Sequence, residues 1–422
     1  LGFEDLYNGG DRDFDDAVFS VDIGTSNAQV LDPNVASADS GVDQNQPTYS
    51  YQNMADGSVH KFDVAGNFVS LSEQNDEIHG GNGNDNIYGR AGNDQLFGDG
   101  GNDVIEGGSG NDSAWGGYGS DQISGGKGDD SLYGDSGHDS IDGGSGNDII
   151  DGGSGNDSID GGKGDDDISG GSGNDQLHGG TGADMLYGGR GNDSLFGGND
   201  DDVLQGDRGS DNLEGGVGND TLYGGSGNDN LKGGSGDDLM YSGAHRDVVD
   251  GGSGSDTVSY DYADSGVNID LHRKKTTGGD SDTLKSIENG IGSDYNDSLR
   301  GNRLDNRLEG GNGNDVIRGM AGNDVLIGGA GEDSFTWRQS DLDGSLDQIL
   351  DFALGEDSLS LVVSSSLASK DIDEWLMLEI GDNSSQLFAD LDGDGDFSDA
   401  VAFAELQGVS TDTLADLSIS VA

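Results

Sequence analysis

Apolar residues recur every nine positions along most of this chain. From Gly80 to Tyr241 it divides into eighteen consecutive nonapeptides in unbroken register, each close to Gly-Gly-x-Gly-x-Asp-x-apolar-x. Four of them read GGNGNDNIY (80–88), GGSGNDIID (143–151), GGTGADMLY (179–187) and GGSGNDNLK (224–232). Position eight is Leu or Ile nearly throughout (Ile87, Leu96, Ile105, Ile123, Leu132, Ile141, Leu222, Leu231), with Ala114 and Met240 as exceptions. A strict period this short indicates a solenoid. The glycines at positions one, two and four permit positive φ and close backbone approach, so the first six residues are expected to form a turn. The last three suit a brief strand and are too short for a helix.

Two units then complete one coil, with one inward side chain per short strand. Leu and Ile would stack in two inner columns, and neighbouring coils would pair as parallel strands. Nine coils give a rod roughly 40 Å long at ~4.8 Å per strand. The predicted fold class is all-β, a right-handed parallel β-solenoid with β-rich caps at both ends.

Position six is Asp in every unit: Asp85, Asp94, Asp103, Asp112, Asp121, Asp130, Asp139, Asp148, Asp157, Asp166, Asp175, Asp184, Asp193, Asp202, Asp211, Asp220, Asp229 and Asp238. One buried Leu or Ile per nine residues cannot offset the ordering of nine backbone units, several of them glycine. Stacked coils also bring carboxylates together. A cation that binds turns and neutralises carboxylates meets both needs. Calcium suits it, taking 6–8 oxygen ligands from carboxylates and carbonyls in flexible geometry. A site shared between units one coil apart gives about 16 sites for the eighteen units. Magnesium prefers a smaller octahedron, and zinc or copper would want cysteine or clustered histidine.

Composition sharpens this. The 422 residues include 81 glycines and 83 acidic against 19 basic residues, a formal charge of −64. Such a charge argues against nucleic acid and anionic membrane as partners, and predicts an unfolded chain where calcium is scarce. There is no cysteine and hence no disulfide framework. No apolar run approaches the ~20 residues that span a bilayer. No signal peptide opens the sequence and Leu1 is not a start residue, so a fragment of a longer protein is expected.

These units resemble the glycine- and aspartate-rich calcium repeats of RTX (repeats-in-toxin) proteins, which form a parallel β-roll. The main roll is expected over 76–259, where SGAHRDVVD (242–250) and GGSGSDTVS (251–259) keep Asp247 and Asp256. A non-repeat insertion follows at 260–291, containing YDYADSGVNIDL, expected as strand-turn-strand. It also holds the basic run Arg273-Lys274-Lys275, expected at a solvated loop tip. A second block, 292–336, carries Asp297, Asp315, Asp324 and Asp333 at position six, with Asn306 in the remaining unit. In GGNDDDVLQ (197–205) Asp200 replaces the third glycine, which would alter that site.

The flanks differ. Residues 1–75 are expected as an N-terminal β segment, in which 25–75 form an irregular cap on the first coil. Asp11, Asp13, Asp15 and Asp16 are spaced to converge on a cation, and the stretch resembles the end of a domain found beside RTX repeats in large bacterial adhesins. Residues 337–422 regain Trp337, Phe352, Trp375, Leu376, Phe388, Phe397 and Phe403, expected as a hydrophobic cap with two strands around Gly355. Asp390, Asp392, Asp394 and Asp396 match the first half of an EF-hand-like loop, but Val401 stands where its last glutamate belongs. The final TDTLADLSISVA resembles C-terminal signals of type I secretion substrates.

Other motifs fall away. GDSG at 134–137 is the start of a repeat, not a protease nucleophile segment, and no His-Glu-x-x-His zinc motif occurs. The resemblance implies a monomeric, non-enzymatic, calcium-dependent folding and export module of a secreted cell-surface adhesin, with the type I secretion machinery as partner. Alternatives are the stabilising tail of an extracellular protease, lipase or epimerase, or a ligand-binding solenoid. Ice binding would want a uniform outer ladder, whereas position nine is mixed (Tyr88, Phe97, Glu106, Trp115, Lys232).

Overall fold

The computed structural model describes residues 49–53, 59–63, 69–70, 75–278, 281–411 and 413–422. Two parallel sheets face each other and the chain alternates between them. Gln95–Gly100, Ser113–Tyr118 and Ser131–Ser136 are neighbours in one sheet, with Leu96, Ala114 and Leu132 in register. Val104–Ser109, Gln122–Lys127 and Ser140–Ser145 are neighbours in the other, with Ile105, Ile123 and Ile141 in register. Every partner lies 18 residues away, so two nonapeptides make one coil of a β-solenoid of roughly fourteen turns.

Most strands are six residues long, not three. Gln122–Lys127 (QISGGK) runs from position seven of one unit to position three of the next. Its second and fourth residues, Ile123 and Gly125, face inward. The expected six-residue turn is therefore corrected to three residues, because position one is an inward strand position with no room for a side chain. A Cβ on Gly125 would lie 2.3 Å from Oδ2 of Asp130 and 2.8 Å from the Gly143 carbonyl oxygen. Positive φ is needed at positions two and four instead, as at Gly126 (φ 107°) and Gly128 (φ 117°). Asp200, at position four, takes the same conformation (φ 77°), which Asp tolerates better than most residues.

The core is one side chain deep. Leu96, Leu132, Ile150 and Leu186 stack in one column and Ile105, Ile141, Leu177 and Leu213 in the other, none more than 2% exposed. On the outer face of the first sheet the rings of His79, Phe97, Trp115 and Tyr133 stack in sequence. Their centroids are 4.4, 4.6 and 5.4 Å apart and their planes lie within 9° of parallel. The strand spacing imposes this ladder, which covers ring faces and turns ring edges to solvent.

The solenoid starts one unit before the glycine-rich repeat, at Asp76 and Ile78 in the loop-like LSEQNDEIH. A hairpin of Tyr49–Asn53 and Val59–Asp63 adjoins this first coil at Phe62 and His79, and Val69–Ser70 adjoins the next strand at Ile87. Between 260 and 285 the chain enters only one sheet. There the order is Val248–Ser253, Thr283–Lys285, Lys275–Thr277, Asn268–Asp270, Ser298–Arg300. The opposite sheet passes directly from Thr257–Ser259 through Asn289–Ile291 to Arg307–Asn312. Residues 260–271 hold one strand, not the expected two: Asn268–Asp270 pairs with Lys275–Thr277 across a turn that contains Arg273 and Lys274.

At the C-terminal end, Asp347–Ile349 and Ser358–Val362 extend the two sheets on either side of Gly355. Val401–Gln407 and Ser418–Val421 then join them in parallel. Leu376–Ile380 and Ser384–Ala389 complete an antiparallel meander. Trp337, Trp375 and Phe403 are buried beneath it, while Phe388 and Phe397 are half-buried. Among the described residues no helix is long and apolar enough to cross a membrane.

Candidate metal centres

Position six sits at the end of each turn, two residues before the inward position eight, so the alternation of the strand carries its side chain into the interior. All the repeat aspartates are buried. They form two ladders. The backbone N–H of Asp175 donates to Oδ1 of Asp193 (2.8 Å), that of Asp193 to Asp211 (2.8 Å) and that of Asp211 to Asp229 (2.9 Å). The second ladder runs in the same way through Asp184, Asp202, Asp220 and Asp238. One oxygen of each carboxylate thus clips its own coil to the preceding one.

The other oxygen is left over. In every repeat aspartate from Asp94 to Asp238, and in Asp256, Asp315, Asp324 and Asp333, Oδ2 is buried and accepts no hydrogen bond. A buried polar atom without a partner is costly, and a buried charge much more so. Burial, reinforced by neighbouring carboxylates of the column, pushes Asp130, Asp139 and Asp211 up to about 7 and Asp94 and Asp148 up to about 6. The backbone N–H bond to Oδ1 opposes the rise in each case.

These residues fit a calcium ion. Oδ2 points over the glycine of position one, toward a carbonyl of the following coil. At Gly188 the place a Cβ would occupy is 2.7 Å from Oδ2 of Asp193 and 3.0 Å from the Gly206 carbonyl oxygen. The donors are all oxygen, carboxylate and carbonyl together, as a hard cation requires. Ions along the columns would satisfy the leftover oxygens and relieve the repulsion between carboxylates.

Some columns end on residues outside the glycine-rich pattern. Asp282 accepts from the N–H of Asp247 (3.0 Å), Asp347 from that of Asp324 (3.0 Å) and Asp357 from that of Asp333 (3.0 Å). Glu288 accepts from Asp256 (3.1 Å). The sequence signal for three of them is Asp-x-apolar without glycines: Asp282-Thr283-Leu284, Asp347-Gln348-Ile349 and Asp357-Ser358-Leu359.

Of the flanking clusters, Asp11, Asp13 and Asp15 lie outside the described residues. Asp390, Asp392 and Asp394 do converge, each offering an oxygen within 4.8 Å of the others. Their loop is also held internally: Asp390 accepts from the N–H groups of Gly393 and Gly395 (both 2.9 Å), and Asp396 from that of Ser398 (3.1 Å). The Lys370 ammonium donates to the Gly393 carbonyl.

Residues 70–258 and 300–335, more than half of the chain, match the profile of the RTX calcium-binding nonapeptide repeat in windows of four copies. No curated protein sequence matches. Among solved structures, the extracellular lipase LipA from Serratia marcescens is similar at 18% identity and a TM-score of 0.19. That match covers 57% of this chain and 40% of the lipase. The regular aspartate columns and the profile match agree, and the chain belongs to the RTX calcium-binding nonapeptide-repeat family.

Proposed function

We propose that this chain is the calcium-dependent folding and export module of a type I-secreted bacterial surface adhesin, and that it is not itself an enzyme. The observation that carries the reading is the run of buried Oδ2 atoms without a partner in a chain of formal charge −64. Where calcium is scarce, these oxygens and their repulsion hold the chain unfolded, a state that can thread a narrow export channel. Outside the cell, ions that bind only the folded turns convert binding free energy into folding free energy. The mixed acidic and aromatic outer faces of the described coils support a scaffold role. The C-terminal sheet supports a role in closing the last coils once they emerge.

Far-UV circular dichroism during calcium titration, with magnesium at equal concentration as control, tests the folding step. A cooperative gain of β signal with calcium alone is expected, and a chain already folded in chelator overturns the mechanism. For export, a reporter fused to this chain is followed in cells carrying a type I transporter. Secretion that survives deletion of 337–422 removes the signal role of that segment.

A further inference from the structure

The leftover oxygens are not evenly distributed. They run from Asp94 to Asp238, recur at Asp256, and reappear at Asp315, Asp324 and Asp333. Between these blocks four column positions, two in each sheet, carry none. Asp282 Oδ1 accepts from Asp247, and its Oδ2 accepts from the Tyr260 hydroxyl (2.7 Å), the Ser242 hydroxyl (3.2 Å) and the Thr276 hydroxyl (3.3 Å). Asp297 Oδ1 accepts from the Val267 N–H (2.6 Å), and its Oδ2 from the N–H (2.5 Å) and hydroxyl (3.1 Å) of buried Ser293. In the opposite column the half-buried Glu288 receives the Asp256 N–H. Asn306 has no charge: its amide donates to the Glu288 carbonyl (2.7 Å), and its Oδ1 accepts from the Asn302 N–H (2.7 Å).

We infer that residues 260–306 form a calcium-independent waist that divides the solenoid into two separately loaded metal blocks. Hydroxyl and amide donors do here what the cation does elsewhere. Asp282 and Asp297 keep the ladder but have no oxygen to offer, so Asp297, which the repeat pattern assigns to metal, is released from that role. The two extra strands in one sheet, Asn268–Asp270 and Lys275–Thr277, deliver the donors: Val267 precedes the first, Thr276 is central in the second, and Tyr260 leads into them. The short block beyond the waist adjoins the C-terminal sheet and can close without the long one.

This inference rests on the calcium reading, and the test separates the two. Bound calcium per folded chain is counted by equilibrium dialysis for Asp211→Asn, Asp282→Asn and Asp297→Asn, each of which keeps the Oδ1 acceptor. The waist predicts that Asp211→Asn lowers the count while the other two leave it at the wild-type value. An equal loss in all three overturns the waist and leaves the calcium reading intact. No loss in any overturns the calcium reading. Should the waist variants fail to fold, a crystal structure of the unaltered chain grown in calcium decides. Anomalous peaks are expected beside Asp211 and Asp315, and a peak at coordination distance, about 2.4 Å, from Asp282 or Asp297 overturns the proposal.

Discussion

Arg318 and Asp341 form a two-pronged ion pair in the interior, Nε to Oδ2 at 2.8 Å and the second guanidinium nitrogen to Oδ1 at 2.9 Å. Asp341 also accepts the backbone N–H of Arg338 (2.8 Å), so one carboxylate ties the last coil to the segment that leads into the C-terminal sheet. Removing a single partner leaves a buried charge uncompensated, which costs about 3–5 kcal/mol. Asp341→Ala is therefore expected to lower the thermal midpoint of the calcium-loaded C-terminal end sharply. The double change Arg318→Met with Asp341→Leu should lose much less, and a melt followed by tryptophan emission compares them.

Glycines in the turns differ in what they protect. At Gly155 an added Cβ would fall 1.2 Å from the Gly137 carbonyl oxygen at φ +147°, whereas Gly83 (φ +122°) has open space around it. Gly83→Ala should cost only backbone strain, about 1–3 kcal/mol. Gly155→Ala must push two coils apart and is expected to cost more than about 4 kcal/mol. Denaturant midpoints in saturating calcium give the comparison, and equal shifts would contradict the stacking of the turns.

Acid should partly replace metal. Burial raises the column carboxylates, Asp94 to about 6 and Asp211 to about 7, above the ordinary value of 3.8 of the unfolded chain. Their contribution to the metal-free fold is complete below pH 3.8 and lost as pH rises through 6 to 7. In chelator, β signal is expected to grow as pH falls from 8 toward 4, with light scattering checked near the isoelectric point of about 4.1. A pH-independent signal over that range would contradict the burial of these groups.

Leu213 lies between Leu195 and Leu231 in its column and is fully buried. Leu213→Ala leaves a cavity and is expected to cost about 2–5 kcal/mol. Because each coil touches only its neighbours, the loss should stay local. Hydrogen exchange is expected to quicken around 195–231 and to remain unchanged at Ile105 and Leu326.

Period, inner columns and the aspartate of position six were legible in the sequence because each repeats too regularly to arise without a structural cause. The role of position one was not, since a glycine that faces inward for lack of space looks the same as one that turns the chain. Asp76, Asp282 and Asp357 escaped for a related reason: they keep the Asp-x-apolar core of the pattern without its glycines. Of the extra strands, Asn268–Asp270 lies in the stretch expected to hold strands, whereas Lys275–Thr277 was hidden because its pairing is set by the sheet it enters, not by its own alternation. At Asp282 the side chains that complete the carboxylate come from Ser242, Tyr260 and Thr276, up to 40 residues away, a distance no local motif spans.

The stacked rings have an optical consequence. Trp115 is held between Phe97 and Tyr133 on the outer face of the roll, while Trp337 and Trp375, the chain's other two indoles, are buried toward the C-terminal end. The two ends of the molecule thus carry chromophores in different surroundings, one half in water and two in a dry interior. A red-shifted emission from the roll and a blue-shifted one from the far end would give each its own colour. Replacing Trp115 alone, or the buried pair, turns the native chain into a clock that tells which end assembles first.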